Sequence, residues 1–171
     1  MGNTSLAVRI TPLEQHHVRE AFCCSEPRIN TFLIDRSLQD HQGYKVRVFV
    51  ATVDDDPKVL GFYSLQLSAL ASGKIMGKCK QKFGKRPIPA VYLSMVGVQE
   101  EYEGKKIGTQ LMLHAFERTM TIADNAGTYC LYLDAVSEKR AAWYEQLQFT
   151  RIPSEPLVMY IPIQTIAAAL A

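Results

Sequence analysis

The residues best placed to do chemistry lie between positions 98 and 109, in the stretch VQEEYEGKKIGT. Here an apolar run gives way to an amphipathic one through Gly104 and Gly108. Glycine lets the main chain approach a ligand closely, and the unpaired N–H groups of a first helical turn can hold a phosphate oxygen. Lys105 and Lys106 add positive charge beside them. The same spacing also suits a plain strand-to-helix turn with a solvated lysine pair. A second feature is the segment 74–86, KIMGKCKQKFGKR, which holds six basic groups and no acid. Residues 1–73 carry seven basic and eight acidic side chains, and residues 87–171 carry six and nine, so the cations are concentrated in one place. Such a segment is either a solvated surface loop or a contact for a polyanion, because closely spaced Lys and Arg release counterions from phosphates. Cys23, Cys24, Cys79 and Cys130 form no C-x-x-C pair, neighbours such as Cys23 and Cys24 rarely bridge, and the four histidines fall at no ligand spacing around them. They read as reduced cytosolic thiols, and no metal site is expected.

These residues need elements to position them. SLAVRI (5–10) alternates like a strand, and Thr11-Pro12-Leu13-Glu14 fits a capping box, which predicts a short helix to about Ala21. A second helix is expected from near Ser25 to Gly43, with Ile29, Phe32, Leu33, Leu38 and roughly His41 close to one face. Residues 44–53 and 58–70 read as hairpin strands around an Asp-Asp-Asp-Pro turn, and the basic segment follows as a loop. AVYLSMVGV (90–98) is a mostly apolar strand with the pattern of one buried on both faces. After the 98–109 turn, Ile107, Leu111, Met112, Ala115, Met120 and Ala123 mark a long helix ending near Gly127. A strand at 128–136, a helix capped by Ser137 and running through Leu147, a last hairpin from Phe149 with its strand at 157–163, and a terminal helix turn complete the chain. This order implies a mixed α/β sheet with a parallel crossover around residues 90–98, where ligands bind past the carboxyl ends of the strands.

The 171 residues fit one domain, 1–171, able to bury roughly 70% of its unfolded surface. Hydrophobic residues at 47% and charged residues at 21% exclude a disordered chain. No apolar run approaches ~18 residues, so no membrane span is expected, and MGNTSLAVRITPLEQ lacks the pattern of a secretory signal. A cytoplasmic protein is the expectation.

The pattern V-x-x-x-Y-x-G-x-x-I-G-x-x-L, from Val98 to Leu111, resembles motif A of the Gcn5-related N-acetyltransferases, the GNAT superfamily. Gly108 matches that motif's core strictly. Glu103 stands where the family has a neutral or basic residue, and Lys106 replaces a glycine. AAWYEQLQF (141–149) is similar to the family's A-x-F-Y-x-x-x-G-F, with Tyr144 on the tyrosine and Gln148 in place of the glycine. Residues 18–70 and the ending PLVMYIPIQTIAAAL resemble the acetyltransferase toxins of type II toxin–antitoxin modules, although Ser94 and Met95 replace that subfamily's glycine and arginine in PAVYLSMVGV. The implied fold is the α/β GNAT fold: a mixed, mostly antiparallel sheet with a central parallel pair splayed to bind acetyl-CoA, and helices on both faces.

The resemblance implies transfer of an acetyl group from acetyl-CoA to a primary amine, with no metal. It places cofactor contacts at Val96, Val98, Glu103, Gly104, Lys105, Lys106, Gly108, Thr109 and Ser137, largely through main-chain groups. Tyr144 would give a proton to the coenzyme A sulfur, a phenol near ~10 lying close to a thiol's range. The subfamily's substrate is the α-amino group of aminoacyl-tRNA, and Lys74, Lys78, Lys80, Lys82, Lys85 and Arg86 would hold its phosphates. A small-molecule or protein amine, without a toxin role, is the alternative, and a fold that has lost catalysis is a third. No general base stands out: His16, His17, His41 and His114 read as surface or satisfied histidines, while Glu20, Glu26 or a water chain remain open. A ribbon–helix–helix antitoxin partner and a homodimer are implied, with no DNA-reading element in this chain.

Overall fold

The computed structural model describes residues 4–75 and 78–171, without the side chains of residues 78–80. Its strands are β1 (Arg9–Pro12), β2 (Arg47–Thr52), β3 (Gly61–Leu70), β4 (Ile88–Val98), β5 (Cys130–Asp134), β6 (Thr150–Ile152) and β7 (Glu155–Pro162). They form one sheet in the order β1-β2-β3-β4-β5-β7-β6. β4 and β5 are parallel, whereas β1·β2, β2·β3, β5·β7 and β6·β7 are antiparallel. The helices are α1 (Pro27–Thr31), α2 (Ser37–Gln42), α3 (Lys78–Phe83), α4 (Ile107–Asn125), α5 (Glu138–Gln146) and α6 (Ile163–Leu170). This is the mixed sheet with a parallel crossover that the order of elements implies.

Two compact units share these elements: Met1–Gln66 with Ser94–Ala115, and Leu67–Leu93 with Phe116–Ala171. In the first, Leu13, Phe22, Ile29, Phe32, Leu33 and Phe62 pack with Val48 and Val50. In the second, Leu70, Ile75, Ile88, Ala90, Cys130 and Ile152 form the core, with Phe83 and Tyr129 against it. Among the described residues no helix is long and apolar enough to cross a membrane.

Three local expectations need correction. The helix over residues 12–21 does not form: Thr11 and Pro12 instead pair with Val50 and Phe49 in β1, and the Leu13 N–H donates to Val48 O. Proline is tolerated on such an edge strand because no ladder donor is lost there. The Glu14 N–H is taken by His17 Nδ1 and the His17 N–H by Glu14 O, which closes a turn rather than a capping box. The helix expected from Ser25 to Gly43 forms but contains a π turn at Phe32–Arg36. There the Leu33 carbonyl accepts from Ser37 Oγ at 2.6 Å and from the Arg19 guanidinium at 3.3 Å, and side-chain insertion of this kind opens the α-helical ladder. The basic segment is not simply a loop: it contains α3, and Phe83 and Ile75 anchor it on the second core.

Candidate functional site

In the first unit, β4 runs on to Val98 and enters the turn through Gln99, which is 3% exposed. Its N–H donates to Leu60 O at 2.8 Å, its Oε1 accepts from Cys23 N at 2.7 Å, and its Nε2 reaches Ala21 O. Glu100 N donates to Cys23 O, so one glutamine ties the base of the turn to residues 21–23. Two close approaches fix the floor. A Cβ on Gly97 would stand 2.8 Å from Ile29 Cγ2, and one on Gly61 would stand 3.1 Å from both Ile107 and Leu111. Gln99 was not evident from the sequence, where a single amide in a polar run carries no signal.

A short 3₁₀ turn at Glu100–Tyr102 precedes the glycine-containing bend. Gly104 takes φ +77° and Lys106 φ +61°, with open space where a Gly104 Cβ would lie. Lys106 therefore keeps a left-handed backbone at a position where the motif has glycine, at a cost of ~1–2 kcal/mol. Among the described residues, no N–H from Gly104 to Thr109 donates to a main-chain acceptor, and Gln110 N, bonded to Lys106 O, is the first that does. Amides without a main-chain partner, the N-terminus of the 19-residue α4 and the exposed Lys105 and Lys106 form a bend whose chemistry suits an anion, a candidate anion cradle. Its rim is braced from the amino-terminal segment: Leu6 N donates to Lys105 O, Gln110 Nε2 to Leu6 O, and Val8 N to Gln110 Oε1. Glu103 is exposed, and its carboxylate is the one negative group in the bend itself. Val96 and Val98 are half-buried in β4, and Ser94 Oγ bonds Ser64 Oγ at 2.7 Å.

In the second unit, the parallel ladder pairs Ala90 with Cys130, Val91 with Leu131 and Tyr92 with Tyr132. The Tyr92 hydroxyl donates to Asp134 Oδ2 at 2.6 Å. Ser137 caps α5, its Oγ accepting from Arg140 N, as the sequence implied. That helix presents Tyr144, which is 8% exposed and packed edge-on against Trp143 and Phe149. Burial pushes its phenol up to about 12, opposed by the nearby Arg140 charge, so the hydroxyl stays protonated at neutral pH. A protonated phenol is a proton donor, not a base. Gln148, standing for the second motif glycine, sits at φ +72°, so again the backbone shape survives the loss of glycine.

The six predicted cations do not behave alike. Lys74 is ion-paired with Glu155 at 2.7 Å, a contact made by an acid distant in sequence. Lys78 and Lys80 have side chains outside the described residues. Lys82 Nζ lies over the Phe83 and Tyr129 rings, while Lys85 and Arg86 are exposed. The histidines are satisfied: His41 Nδ1 accepts from Val48 N, His114 Nδ1 bonds the Tyr63 hydroxyl, and His16 pairs with Glu14. Among the described residues Cys23, Cys24 and Cys130 form no disulfide. Among the described residues no group of three His, Cys, Asp or Glu side chains could hold a metal ion.

Comparison with known proteins gives this geometry a context. The family model for an acetyltransferase (GNAT) domain matches residues 44–151. A probable toxin, TacT, of Sinorhizobium fredii is 31% identical over 99% of this chain and 99% of its own. A tRNA-acetylating toxin of Mycobacterium tuberculosis is 28% identical over 80% of this chain and 81% of its own. Among solved structures, a tyrosine-to-phenylalanine mutant of KacT superimposes with a TM-score of 0.88 at 23% identity, covering 95% of this chain and 98% of the other. AtaT complexed with acetyl-methionyl-tRNA gives 0.87 at 22% identity, covering 96% and 100%. These two structures share the fold.

Proposed function

The chain belongs to the GNAT acetyltransferase family, and from that premise we propose that its acceptor is the α-amino group of aminoacyl-tRNA, acetylated to block translation as the toxin of a toxin–antitoxin pair. The observation that carries the reading is the end-to-end alignment with TacT, reinforced by the relative named for tRNA acetylation. The whole chain, 1–171, works as one acetyltransferase domain in the cytoplasm. Its partners are a ribbon–helix–helix antitoxin and a second copy of itself.

The donor is acetyl-CoA, which supplies an activated acetyl thioester. The amides between Gly104 and Thr109, which give no main-chain hydrogen bond among the described residues, fit its diphosphate together with Lys105 and Lys106, because a helix N-terminus suits an anion. Because main-chain N–H groups do the holding, Lys106 serves in place of glycine as long as it keeps the φ observed. The Val96 and Val98 main chain bonds the pantetheine amides, and a strand N–H there polarises the thioester carbonyl. Ser137 shapes the start of α5 and so fixes Tyr144. The attacking amine must be neutral; an α-amine near ~7.7–8.0 is partly neutral at pH 7, unlike a lysine near ~10.4. His17, His41 and His114 each give a ring nitrogen to a fixed partner, and an α-amine needs less help from a base than a lysine does, which favours the α-amine. Tyr144 gives its proton to the departing sulfur, and the proton that the amine nitrogen sheds as the amide forms restores the phenol through solvent. Its pKa of about 12 lies above a thiol's ~8.5, but the burial that raises the phenol raises a thiol in the same surroundings. Lys82, Lys85 and Arg86 hold RNA phosphates through long-range, salt-sensitive contacts.

Radiolabelled acetyl-CoA, incubated with the protein and total tRNA charged with its amino acids, tests the proposal. Label on the aminoacyl end is expected. Label confined to protein or small amines would refute the tRNA reading while leaving the family assignment in place. Sequencing the adjacent reading frame tests the antitoxin partner: a small ribbon–helix–helix protein is expected there, and its absence would count against that partner.

A further inference from the structure

The carboxyl end of β5 carries a group that the mechanism so far leaves unused. Asp134 is the last residue of that strand, is exposed, and accepts a 2.6 Å hydrogen bond from the Tyr92 hydroxyl. Resting on the reading above, we propose that Asp134, oriented by Tyr92, is the anchor for the α-amino group of the acceptor: its carboxylate holds the ammonium as it docks, and the ammonium gives up its proton to solvent before the neutral amine attacks.

Three observations carry this. The first is charge. Lys74, whose pKa is raised by Glu155 and further by Asp134, already gives its 2.7 Å contact to Glu155. Arg151 is committed to Glu138 and Glu145. Among the described residues Asp134 makes no ion pair, and with Glu155, Glu138 and Glu145 it makes four carboxylates against the two cations Lys74 and Arg151, so this corner stays net negative. The second is geometry. Tyr92 and Tyr132 are cross-strand neighbours at the last rung of the parallel ladder, stacked at 4.7 Å, and the Tyr132 hydroxyl is fixed by Ser68 at 2.7 Å. Stacked rings that are tied at both hydroxyls make a rigid wall, and an ammonium beside such rings gains cation–π attraction as well as the carboxylate. Position agrees, since ligands of such sheets gather past the carboxyl ends of parallel strands. The third is polarity along the strand. Lys82 lies 5.5 Å from the centre of the Tyr129 ring, and Tyr129 precedes Asp134 by five residues, roughly 16 Å at ~3.3 Å per residue. The surface therefore changes sign over the length of a short ligand that is cationic at one end and anionic at the other. An amino acid esterified to the phosphate-bearing end of an RNA has that polarity.

Steady-state transfer of labelled acetyl to charged total tRNA, with acetyl-CoA affinity measured separately by calorimetry, tests the anchor. D134N should raise KM for charged tRNA ~10-fold or more, the worth of a charge-assisted hydrogen bond, with kcat changed less than about threefold and acetyl-CoA affinity unchanged. D134E should recover part of the loss. Y92F, which removes the hydroxyl that orients the carboxylate, should raise KM by about two- to fivefold and provides the reading if D134N lowers the Tm. A KM within twofold of wild type in both variants overturns the anchor and leaves the acetyltransferase reading standing. Wild-type protein that binds acetyl-CoA but labels no charged tRNA overturns the acceptor assignment and the anchor with it.

Discussion

Lys106 holds φ +61° at a position where the family motif has glycine, and it also places a charge beside the anion cradle. Two substitutions separate these contributions. Lys106→Ala removes the charge and keeps the strained backbone, whereas Lys106→Gly removes both. A non-glycine residue in the left-handed region costs ~1–2 kcal/mol, and glycine's larger unfolded-state entropy returns ~0.5–1 kcal/mol of that. K106G should therefore be more stable than K106A by about 0.5–1 kcal/mol, a Tm difference of roughly 1–4 °C for a chain of this size. The Lys106 side chain is exposed, so its truncation leaves no buried cavity. Both variants should lose affinity for acetyl-CoA about two- to fivefold at low salt, the worth of one exposed cation near a helix N-terminal anion, and the loss should shrink at high salt. Differential scanning fluorimetry and calorimetric titration read the two effects. K106G no more stable than K106A would refute the strain argument, and a loss of affinity indifferent to salt would refute the electrostatic one. Gln148→Gly, at φ +72°, removes strain without changing charge and should show the stability gain alone.

Tyr144→Phe should lower kcat ~10²–10⁴-fold with Tm and acetyl-CoA affinity nearly unchanged; unaltered turnover would remove the phenol from the mechanism. Gly97→Ala should destabilise by ~1–3 kcal/mol, because the new methyl would stand 2.8 Å from Ile29 Cγ2, and a Tm equal to wild type would contradict that packing. The His41 pKa is lowered by burial and by Arg47, and its Nδ1 accepts from Val48 N. The unfolded chain then binds the proton more readily below 6.5, so stability is full above that pH and falls as pH drops through the window below it. His41→Asn should flatten the fall in Tm between about pH 8 and about pH 5, as a Tm series would show. Neutralising Lys82, Lys85 and Arg86 together should weaken use of charged tRNA and flatten its salt dependence while transfer to a free small amine persists.

Much of this was legible in the chain. The strand–turn–helix at residues 90–125, the Ser137 cap and the parallel crossover follow from apolar periodicity and turn chemistry, which are local properties. The lost motif glycines at Lys106 and Gln148 looked like departures, yet both positions retain positive φ, because the surrounding elements dictate the backbone and the side chain merely tolerates it. The errors were tertiary. Thr11-Pro12-Leu13-Glu14 has a helix start's residues, but a free sheet edge beside β2 claims their backbone. Lys74 reads in the sequence as one of six equivalent cations, whereas Glu155, eighty-one positions later, pairs with it in the fold. Gln99 and Asp134 were invisible for the same reason: each acts through partners that only the fold brings near.

The central claim is that the main-chain amides between Gly104 and Thr109 hold the diphosphate of coenzyme A. Calorimetric titration with coenzyme A and, in parallel, with pantetheine, which lacks the diphosphate, tests it most directly. The account predicts saturable coenzyme A binding and affinity for pantetheine lower by ~10²-fold or more, as expected for several charge-assisted bonds lost together. Equal affinity for the two ligands, or no heat with coenzyme A at millimolar concentration, would contradict it.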